Sequence, residues 1–266
     1  MSFSSHLVGW KAGVAAILLA STAFAQNTDT ATSENSANTG NTILPSISVT
    51  ATRNAIDAFE FPGMVSVIGR RGVQDIQSAS PDDILRYTPG IDFNGGPRRT
   101  GEVPSIRGFS NDDVIILLDG ARQNYISGHD GRFFVDPFFL RQIEVVKGSS
   151  SALYGSGGTG GVIELRTVEA SDVLAKGKKY GFQSIGGYQA VNREWNTGVL
   201  GVAKPYGNLE LLGGVVYRNS EDLSIGDDAT RSTLSSQDRI TSGLFKGKTT
   251  LAENHVLDFR GSVSQI

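Results

Sequence analysis

The stretch Arg141–Thr167, RQIEVVKGSSSALYGSGGTGGVIELRT, decides how this chain folds. Two short runs of apolar and β-branched residues, Ile143–Val146 and Val162–Leu165, predict two strands. Between them, Gly155–Gly160 matches the G-x-G-x-x-G pattern of dinucleotide sites, whose mechanism requires a helix directly after the glycines. Because a strand follows here, we interpret the glycines as a loop that allows close backbone approach.

The sequence upstream of this stretch predicts the rest of a compact α+β domain. Ser80 is placed to cap a helix, Pro81 suits its first position and Asp83 can complete a capping box. Val114–Leu118 is a continuous apolar run, which is typical of a strand buried on both faces. The pair Asp119-Gly120 predicts a turn directly after that strand.

Downstream of Thr167, the pattern changes to segments of roughly ten residues in which apolar and polar residues alternate. Short breaks and one long break separate the segments. This rhythm favours the strands of a transmembrane β-barrel, although a soluble antiparallel sandwich predicts the same alternation. In the last segment Leu257, Phe259 and Val263 share the apolar face. The predicted strands are Gly181–Ala190, Trp195–Ala203, Leu209–Tyr217, Gly243–Thr250 and Val256–Val263.

The first residues carry the features of a secretory signal. An apolar run from Ala12 to Ala20 follows Lys11, and Ala23-Phe24-Ala25 supplies a small-x-small cleavage pattern. The polar residues 26–42 predict a tether, and Ile47–Ala51 (ISVTA) alternates as one short strand. That strand either pairs with the sheet edge of another protein or forms an N-terminal edge strand of the following domain.

The composition excludes several classes of function. The formal net charge is −3, which argues against a nucleic-acid partner because nucleic acid requires a concentrated basic surface. Cysteine is absent, so neither disulfides nor thiolate metal sites are available. No residues match a nucleophile elbow or the spacing of an EF-hand, and the chain is therefore not expected to be an enzyme.

Taken together, these motifs resemble the TonB-dependent outer-membrane receptors. Ile47–Ala51 resembles the TonB box of the family, and four segments follow in the order expected of its plug domain. The resemblance implies an α+β plug domain followed by antiparallel strands of a transmembrane β-barrel, which has about 22 strands in the family. The four plug segments are Asp83–Phe93 (DILRYTPGIDF), Pro104–Phe109 (PSIRGF), Val114–Gly120 (VIILLDG) and Ile143–Gly155 (IEVVKGSSSALYG).

The resemblance also implies an organisation, a location and a partner. It places the signal peptide at residues 1–25, a tether with the TonB box at 26–52, the plug at 53–168 and the first barrel strands at 169–266. The protein would lie in the lipid of the outer membrane of a Gram-negative bacterium. Because only about five barrel strands are present, the sequence is expected to be a fragment or a truncated product. TonB would pair by strand addition with the box residues Ile47, Ser48, Val49, Thr50 and Ala51.

The segment Gly120–Pro137 (GARQNYISGHDGRFFVDP) is similar to the corresponding segment of the haem and haemoglobin receptors in this family. That similarity implies that His129 is an axial ligand of haem iron and that Tyr125 packs against the porphyrin. Haem would be a transported ligand, taken up free or from haemoglobin or a haem-carrier protein, and no cofactor would be permanently bound. Without the resemblance, His129 would be interpreted as a solvent-exposed loop histidine.

Arg107, between Ile106 and Gly108, is expected to be half buried and to form an ion pair that holds the plug to the barrel, with Glu144 or a barrel acid as its partner. The alternatives to haem transport are a ferric-siderophore receptor of the same family and a soluble periplasmic plug-like module for binding or signalling.

Overall fold

The structure, a computed structural model, describes residues 60–123, 134–225, 232–252 and 255–266, together with the backbone of two short strands nearer the N-terminus. The predicted signal peptide and most of the predicted tether lie outside the described residues. The helices are α1 (Arg70–Ile76), α2 (Pro81–Leu85), α3 (Ser151–Tyr154) and α4 (Ala170–Val173). The strands are β1 (Ser48–Val49), β2 (Ile56–Asp57), β3 (Met64–Gly69), β4 (Ile91–Gly95), β5 (Glu102–Ile106), β6 (Phe109–Ser110), β7 (Val114–Leu118), β8 (Ala121–Arg122), β9 (Leu140–Lys147), β10 (Gly161–Thr167), β11 (Tyr180–Gln189), β12 (Glu194–Tyr206), β13 (Leu209–Ser220), β14 (Leu223–Ile225), β15 (Ser232–Leu234), β16 (Asp238–Ala252) and β17 (His255–Gln265).

A mixed five-stranded sheet, in the order β3-β9-β10-β7-β8, forms the centre of the α+β region, by which we mean residues 60–173. Strand β10 runs parallel to β7, and the other neighbours are antiparallel. The predicted turn after β7 is confirmed, because Asp119 and Gly120 have φ values of 48° and 84°, as a tight hairpin turn with two positive φ angles requires. A smaller antiparallel sheet, β4-β5-β6, packs beside it.

The helix start at Ser80 is also confirmed. The Ser80 side chain accepts a hydrogen bond of 3.2 Å from the amide of Asp83, and Pro81 occupies the first helical position. The Asp83 carboxylate accepts from the amide of Ala79 rather than from that of Ser80, so the predicted capping box closes one residue earlier. This cap directs Ile84 and Leu85 of α2 into the core between the helices and the central sheet.

Two apolar clusters sandwich the central sheet. One lies against α1 and α2 and includes Ile84, Ile143 and Ile163. The other covers the opposite face and includes Leu117 and Val162. Burial of apolar surface from both sides is what stabilises this region, since each fully buried large aliphatic side chain contributes about 1.5–3 kcal/mol.

The glycines from the end of α3 to the start of β10 allow the backbone to approach neighbouring segments closely. Gly157 has a φ of +87°, and a Cβ atom added there would clash with the carbonyl oxygen of Asp112. A Cβ atom on Gly161 would clash with the carbonyl oxygen of Val146. The interpretation of this stretch as a loop for close backbone approach is therefore confirmed, and a strand follows it, as predicted.

Most of the rest of the chain forms a second, fully antiparallel sheet, β11-β12-β13-β16-β17, which we call the meander, and β14 and β15 form a separate pair. Its five strands are those predicted, and all but the first are longer than predicted. Strand β16 begins at Asp238, inside the long break predicted between the third and fourth strands. It begins there because it continues to pair with β13 as far as Ser220. Pairing with a formed neighbour extends a strand beyond the point where its own alternation fades.

Alternation divides the meander into two faces. Leu257, Phe259 and Val263 of β17 all lie on the outer, exposed face, as predicted. The inner face carries Leu200, Leu212 and further apolar side chains that pack against residues of the α+β region. That cluster consists of Phe139, Val168, Ala170, Leu200, Val202, Leu212, Val216 and Leu244.

Candidate functional site

The predicted haem ligand His129 and its predicted neighbour Tyr125 fall within residues 124–133, which lie outside the described residues. The structure describes the two ends of this segment. At the first end, the Gln123 amide donates a hydrogen bond of 2.9 Å to the carbonyl of Ile116 in β7. The segment therefore departs from the central sheet.

The second end of the segment is held by a buried ion pair. Asp136 is 1% exposed, and its carboxylate accepts a hydrogen bond of 2.9 Å from the Phe138 amide at the start of a 3₁₀ turn. Both carboxylate oxygens also bind Arg218 of β13, with Nε–Oδ2 at 2.5 Å and Nη2–Oδ1 at 3.1 Å. Such a two-point guanidinium–carboxylate pair fixes orientation as well as distance. The segment that contains His129 therefore ends on a residue clamped to the meander.

The clamp belongs to a larger group of alternating charges, which we call the five-residue charge network: Arg99, Asp136, Glu194, Arg218 and Asp238. Arg218 Nη1 lies 3.1 Å from one oxygen of Glu194, and Arg99 Nη2 lies 2.7 Å from the other. Arg99 Nε also lies 2.7 Å from Asp238. Two residues of the α+β region are thereby bonded to three adjacent strands of the meander.

The network explains how a buried arginine keeps its charge. Burial by itself lowers the pKa of Arg99, but hydrogen bonds and attraction from Glu194 and Asp238 outweigh it and raise the pKa above its usual value. Arg99 therefore remains a cation at every physiological pH. Since both acids point at it, the guanidinium acts as a fixed bridge between β12 and β16.

A second charged contact joins the two regions farther along β16. Lys246 Nζ lies 2.9 Å from Glu169 and 3.3 Å from Asp119, and it donates to the carbonyl of Thr167 at 3.2 Å. The Lys246 side chain is only 6% exposed. Arg260 of β17 lies 3.6 Å from the same Glu169 carboxylate. The turn after β7 and the segment after β10 are thus both bonded to the meander.

The structure does not bring together the predicted pair Arg107 and Glu144. Arg107 is exposed, because it forms a two-residue turn with Gly108 that carries its side chain to the surface, where the guanidinium contacts the sulfur of Met64. Glu144 is fully buried in β9, in the middle of the central sheet. The predicted ion pair is therefore wrong. Its expected role, bonding the α+β region to the meander, is carried by Arg99, Asp136 and the residues around Lys246.

The charged residues that bond the α+β region to the meander were missed because the sequence shows a charge but not its partner. The available signal was position: Arg218 and Lys246 fall on the same face of their strands as Val216 and Leu244. A charged residue on an otherwise apolar, buried face must find an opposite charge. Which charge it finds depends on how two separate parts of the chain pack.

Glu144 instead faces another acid. It lies directly opposite Glu164 in the β9–β10 pair, and Glu164 is 3% exposed. Burial raises the pKa of Glu164 to about 7, with a further rise from the charge of Glu144, although a hydrogen bond from the Gly120 amide opposes the shift. Glu144 accepts a hydrogen bond of 2.8 Å from Gln142. The interior of the central sheet therefore holds a carboxyl group that titrates near neutral pH.

Of the predicted TonB box, the structure describes the backbone of Ser48 and Val49 in β1, while Ile47, Thr50 and Ala51 lie outside the described residues. Strand β1 pairs antiparallel with β2, Ser48 opposite Asp57 and Val49 opposite Ile56. These two strands form a sheet of their own.

Within residues 60–123, 134–225, 232–252 and 255–266, no group of three or more histidines, cysteines or acids is arranged to hold a metal ion. Over the same part of the chain, no helix has the length and apolar character needed to cross a membrane.

Comparison with known families gives one domain match. Residues 57–162 match the model of the TonB-dependent receptor plug domain. That range contains β3 to β9, the glycine-rich loop and the start of β10, and so covers most of the central sheet.

Several curated proteins are similar to this chain. The chain is 33% identical to the hemin receptor of Yersinia pestis over 198 residues, which cover 74% of this chain and 28% of that protein. It is 38% identical to heme/hemopexin utilization protein C of Haemophilus influenzae over 149 residues, which cover 56% of this chain and 20% of that protein. The chain thus matches less than a third of the length of these relatives.

Two solved structures share the arrangement described above. The FrpB iron transporter of Neisseria meningitidis superimposes with a TM-score of 0.65 at 28% identity, covering 75% of this chain and 31% of that one. The hemophore receptor HasR of Serratia marcescens, in complex with its hemophore HasA and heme, superimposes with a TM-score of 0.66 at 25% identity, covering 78% and 32%.

Proposed function

This chain belongs to the TonB-dependent outer-membrane receptors, and from that premise we propose that it serves the uptake of haem, energised by TonB. In this proposal residues 53–168 are the plug and residues 169–266 are the first strands of the surrounding barrel. Residues 1–25 are a signal peptide, and residues 26–52 are a tether that carries the TonB box. The protein would act in the outer membrane of a Gram-negative bacterium and would make or break no covalent bond in its cargo.

The proposal rests on the agreement between the names of the similar proteins and the resemblance of one segment of this chain to haem receptors. The relatives named above are a hemin receptor and a heme/hemopexin utilization protein, and a TonB-dependent heme receptor A of Haemophilus influenzae is 29% identical over 203 residues. In addition, Gly120–Pro137 is similar to the histidine-containing segment of haem receptors. HasR, which is similar over most of this chain, was solved with a haem carrier bound. Delivery by a carrier protein or by haemoglobin is therefore part of the proposal.

We assign His129 the role of axial ligand to haem iron, with Tyr125 against the porphyrin. A neutral imidazole is a good iron ligand, and the flanking glycines Gly128 and Gly131 would let a flat ring approach the backbone. The described ends of the segment support this role, because one follows β8 and is hydrogen-bonded to β7, and the other is clamped by Arg218. A ligating group needs such a rigid structural support.

TonB would bind by adding a strand to the box at Ile47–Ala51. Strand addition needs free backbone donors and acceptors, and pairing with β2 uses only one edge of β1. In this proposal TonB pairs with the other edge of β1.

Growth on haem tests the proposal. The protein is expressed in full from its own gene, in a Gram-negative host that makes no haem and lacks other haem receptors. Growth on haemin should appear with the wild-type protein, disappear when the host lacks TonB and fall at least tenfold with His129→Ala. Binding to the purified wild-type protein should shift the absorption band of haemin relative to free haemin. The band of haemin with the His129→Ala variant should differ from that with the wild type.

His255→Ala is the matched control, because His255 is an exposed histidine at the start of β17. It should leave growth on haemin unchanged. If His129→Ala also supported full growth on haemin, His129 would not be the ligand. If wild-type protein gave no growth on haemin but did give growth on a ferric siderophore, the siderophore alternative would replace the haem proposal.

A further inference from the structure

Residues Lys176–Lys179, which we call the lysine turn, connect α4 to the first strand of the meander and include three lysines. The Lys178 amide donates a hydrogen bond of 3.0 Å to the carbonyl three residues earlier, and Gly177 has a φ of 77°, as the third position of a type II turn requires. The Lys179 carbonyl then accepts a hydrogen bond of 2.7 Å from the amide of Lys204 in β12. All four residues of the turn are exposed. The backbone of the turn is therefore fixed, while its three charged side chains remain accessible.

The charge of the lysine turn is not offset by nearby acids. Within the described part of the chain, none of its three lysines forms an ion pair, whereas Lys204 beside it lies 2.6 Å from Glu210. Asp172 of α4, the acid that precedes the turn most closely in sequence, lies 3.5 Å from Arg141. This end of the meander therefore carries a concentrated positive charge that can attract an anionic partner.

Exposed aromatic side chains mark both ends of the outer face of the meander. Tyr180 directly follows the lysine turn, Tyr206 ends β12, and the two side chains are 70% and 69% exposed. At the opposite end Tyr188 lies across from Trp195, whose ring centroid is 5.0 Å from that of Tyr217. Tyr180 and Tyr188 are eight residues apart, about 27 Å along β11 at about 3.4 Å per residue. This spacing is comparable with the apolar band of about 25 Å that two aromatic girdles flank in membrane-spanning barrels.

The lysine turn lies at the end of the meander that has the short connections. There β12 and β13 are joined by residues 207–208, whereas at the opposite end β13 and β16 are joined by residues 221–237. In outer-membrane barrels the short turns face the periplasm and the long loops face outward. A further strand paired with either edge of the meander would lie in the plane of the sheet, so it would cover neither the outer face nor this end.

We propose that the lysine turn binds the phosphate groups of anionic phospholipids in the periplasmic leaflet of the membrane. The inference rests on the placement of residues 169–266 in a barrel under the proposed function, and it does not depend on haem. A basic segment beside a membrane-spanning element is attracted to anionic lipid, and an aromatic ring such as that of Tyr180 lies at the level of the headgroups. Lysine suits this role because its ammonium group is a compact charge on a long, flexible stem. Because the turn connects α4 to β11, bound lipid would hold the connection between the α+β region and the meander at the membrane surface.

Lipid binding by the full-length protein in detergent tests this inference. The protein is mixed with phosphatidylglycerol or with phosphatidylcholine at several concentrations, and bound lipid is counted by native mass spectrometry. The wild type should bind phosphatidylglycerol at least about tenfold more tightly than phosphatidylcholine, and Lys176→Gln/Lys178→Gln/Lys179→Gln should lose most of that preference. Raising the salt concentration should weaken the binding of phosphatidylglycerol to the wild type more than to the variant, because exposed charges are screened.

Two control variants separate this site from overall charge. Arg98→Gln/Arg193→Gln/Arg239→Gln removes three exposed arginines at or beside the opposite end of the meander, one of which is paired with Glu221, and should leave the preference unchanged. Replacing the three lysines of the turn by arginine keeps the charge and should keep the preference. All three variants should unfold at the temperature of the wild type, because the substituted residues are exposed.

The outcomes that contradict the lipid site differ from the one that contradicts the barrel. If the glutamine variant keeps its preference for phosphatidylglycerol, or the arginine control loses as much, the lipid site is wrong while the barrel stands. The lipid site is also wrong if glycerophosphoglycerol, the soluble headgroup, displaces the lipid at equal concentration. If the wild-type protein stays monodisperse in buffer without detergent, the barrel fails, and the lipid site fails with it.

Discussion

The interior of the central sheet and its contact with the meander use buried charge in opposite ways. Inside the sheet, Glu144 and Glu164 lie across from each other as groups of like charge, beside the apolar cluster that includes Leu117 and Val162. At the contact, cations and anions alternate from Arg99 through Glu194 and Arg218 to Asp136. The sheet therefore relies on apolar burial, whereas its attachment to the meander combines an apolar cluster with paired charges.

This difference bears on what each region can do. Apolar burial is non-directional and grows with area, so it holds the sheet together without specifying one orientation. Buried ion pairs gain little net free energy against their desolvation cost, but they fix geometry strongly. An attachment that combines the two can hold the α+β region in one position and still be released when energy is supplied. That property suits the TonB-driven movement in the proposed function.

The largest effect is expected from breaking the charge network. Arg218→Ala should lower the free energy of unfolding by about 3–5 kcal/mol, because Asp136 is left buried without its cation. The loss is measured by thermal unfolding of the full-length protein in detergent and by hydrogen exchange of residues 134–139.

Two controls accompany this variant. Arg193→Ala, which removes an exposed pair, should change stability by less than about 1 kcal/mol. Replacing both partners, as in Asp136→Leu/Arg218→Met, should recover most of the loss, since no charge is left buried and unpaired. An Arg218→Ala variant as stable as the wild type would contradict the role assigned to the network.

An intermediate effect is expected from the acid pair inside the sheet. The folded-state pKa of Glu164, about 7, lies above its usual value of 4.5, so the folded protein holds this proton more tightly than the unfolded chain. The stabilisation is complete below pH 4.5 and is lost as pH rises to about 7. Glu164→Gln should remove this decline, which amounts to at most about 3 kcal/mol at about 1.4 kcal/mol per pKa unit.

Hydrogen exchange of β9 and β10 in full-length protein, recorded from pH 5 to pH 8 and corrected for intrinsic exchange rates, measures this decline. Glu60→Gln, which changes an exposed acid, should leave it in place. A decline that persists unchanged in Glu164→Gln would show that another group is responsible.

The smallest effect on stability is expected at the start of α2, where substitutions of two serines can be compared. Ser80→Ala removes the N-cap that accepts from Asp83 and should cost about 1 kcal/mol. Ser78→Ala removes a buried hydroxyl that has no hydrogen-bond partner among the described residues and should be neutral or slightly stabilising. Thermal unfolding of the two variants side by side is the measurement, and the reverse order would contradict the cap assignment.

Local pattern alone determined several elements of this protein and their character. Alternation identified every strand of the meander and the outward face of β17, because a strand places successive side chains on opposite sides whatever it packs against. The glycine-rich loop and the cap at Ser80 could be predicted for the same reason, since a positive φ angle or an unpaired helical amide is a local need. Sequence also placed His129 as a candidate ligand through the resemblance of its segment to haem receptors.

Tertiary structure alone decided which charges meet. Arg99 and Arg107 are eight positions apart and look alike in sequence, yet one is locked between Glu194 and Asp238 and the other lies exposed on a turn. A charge acts over a few ångströms of space and not along the chain, so its partner is known only when the sheets have packed.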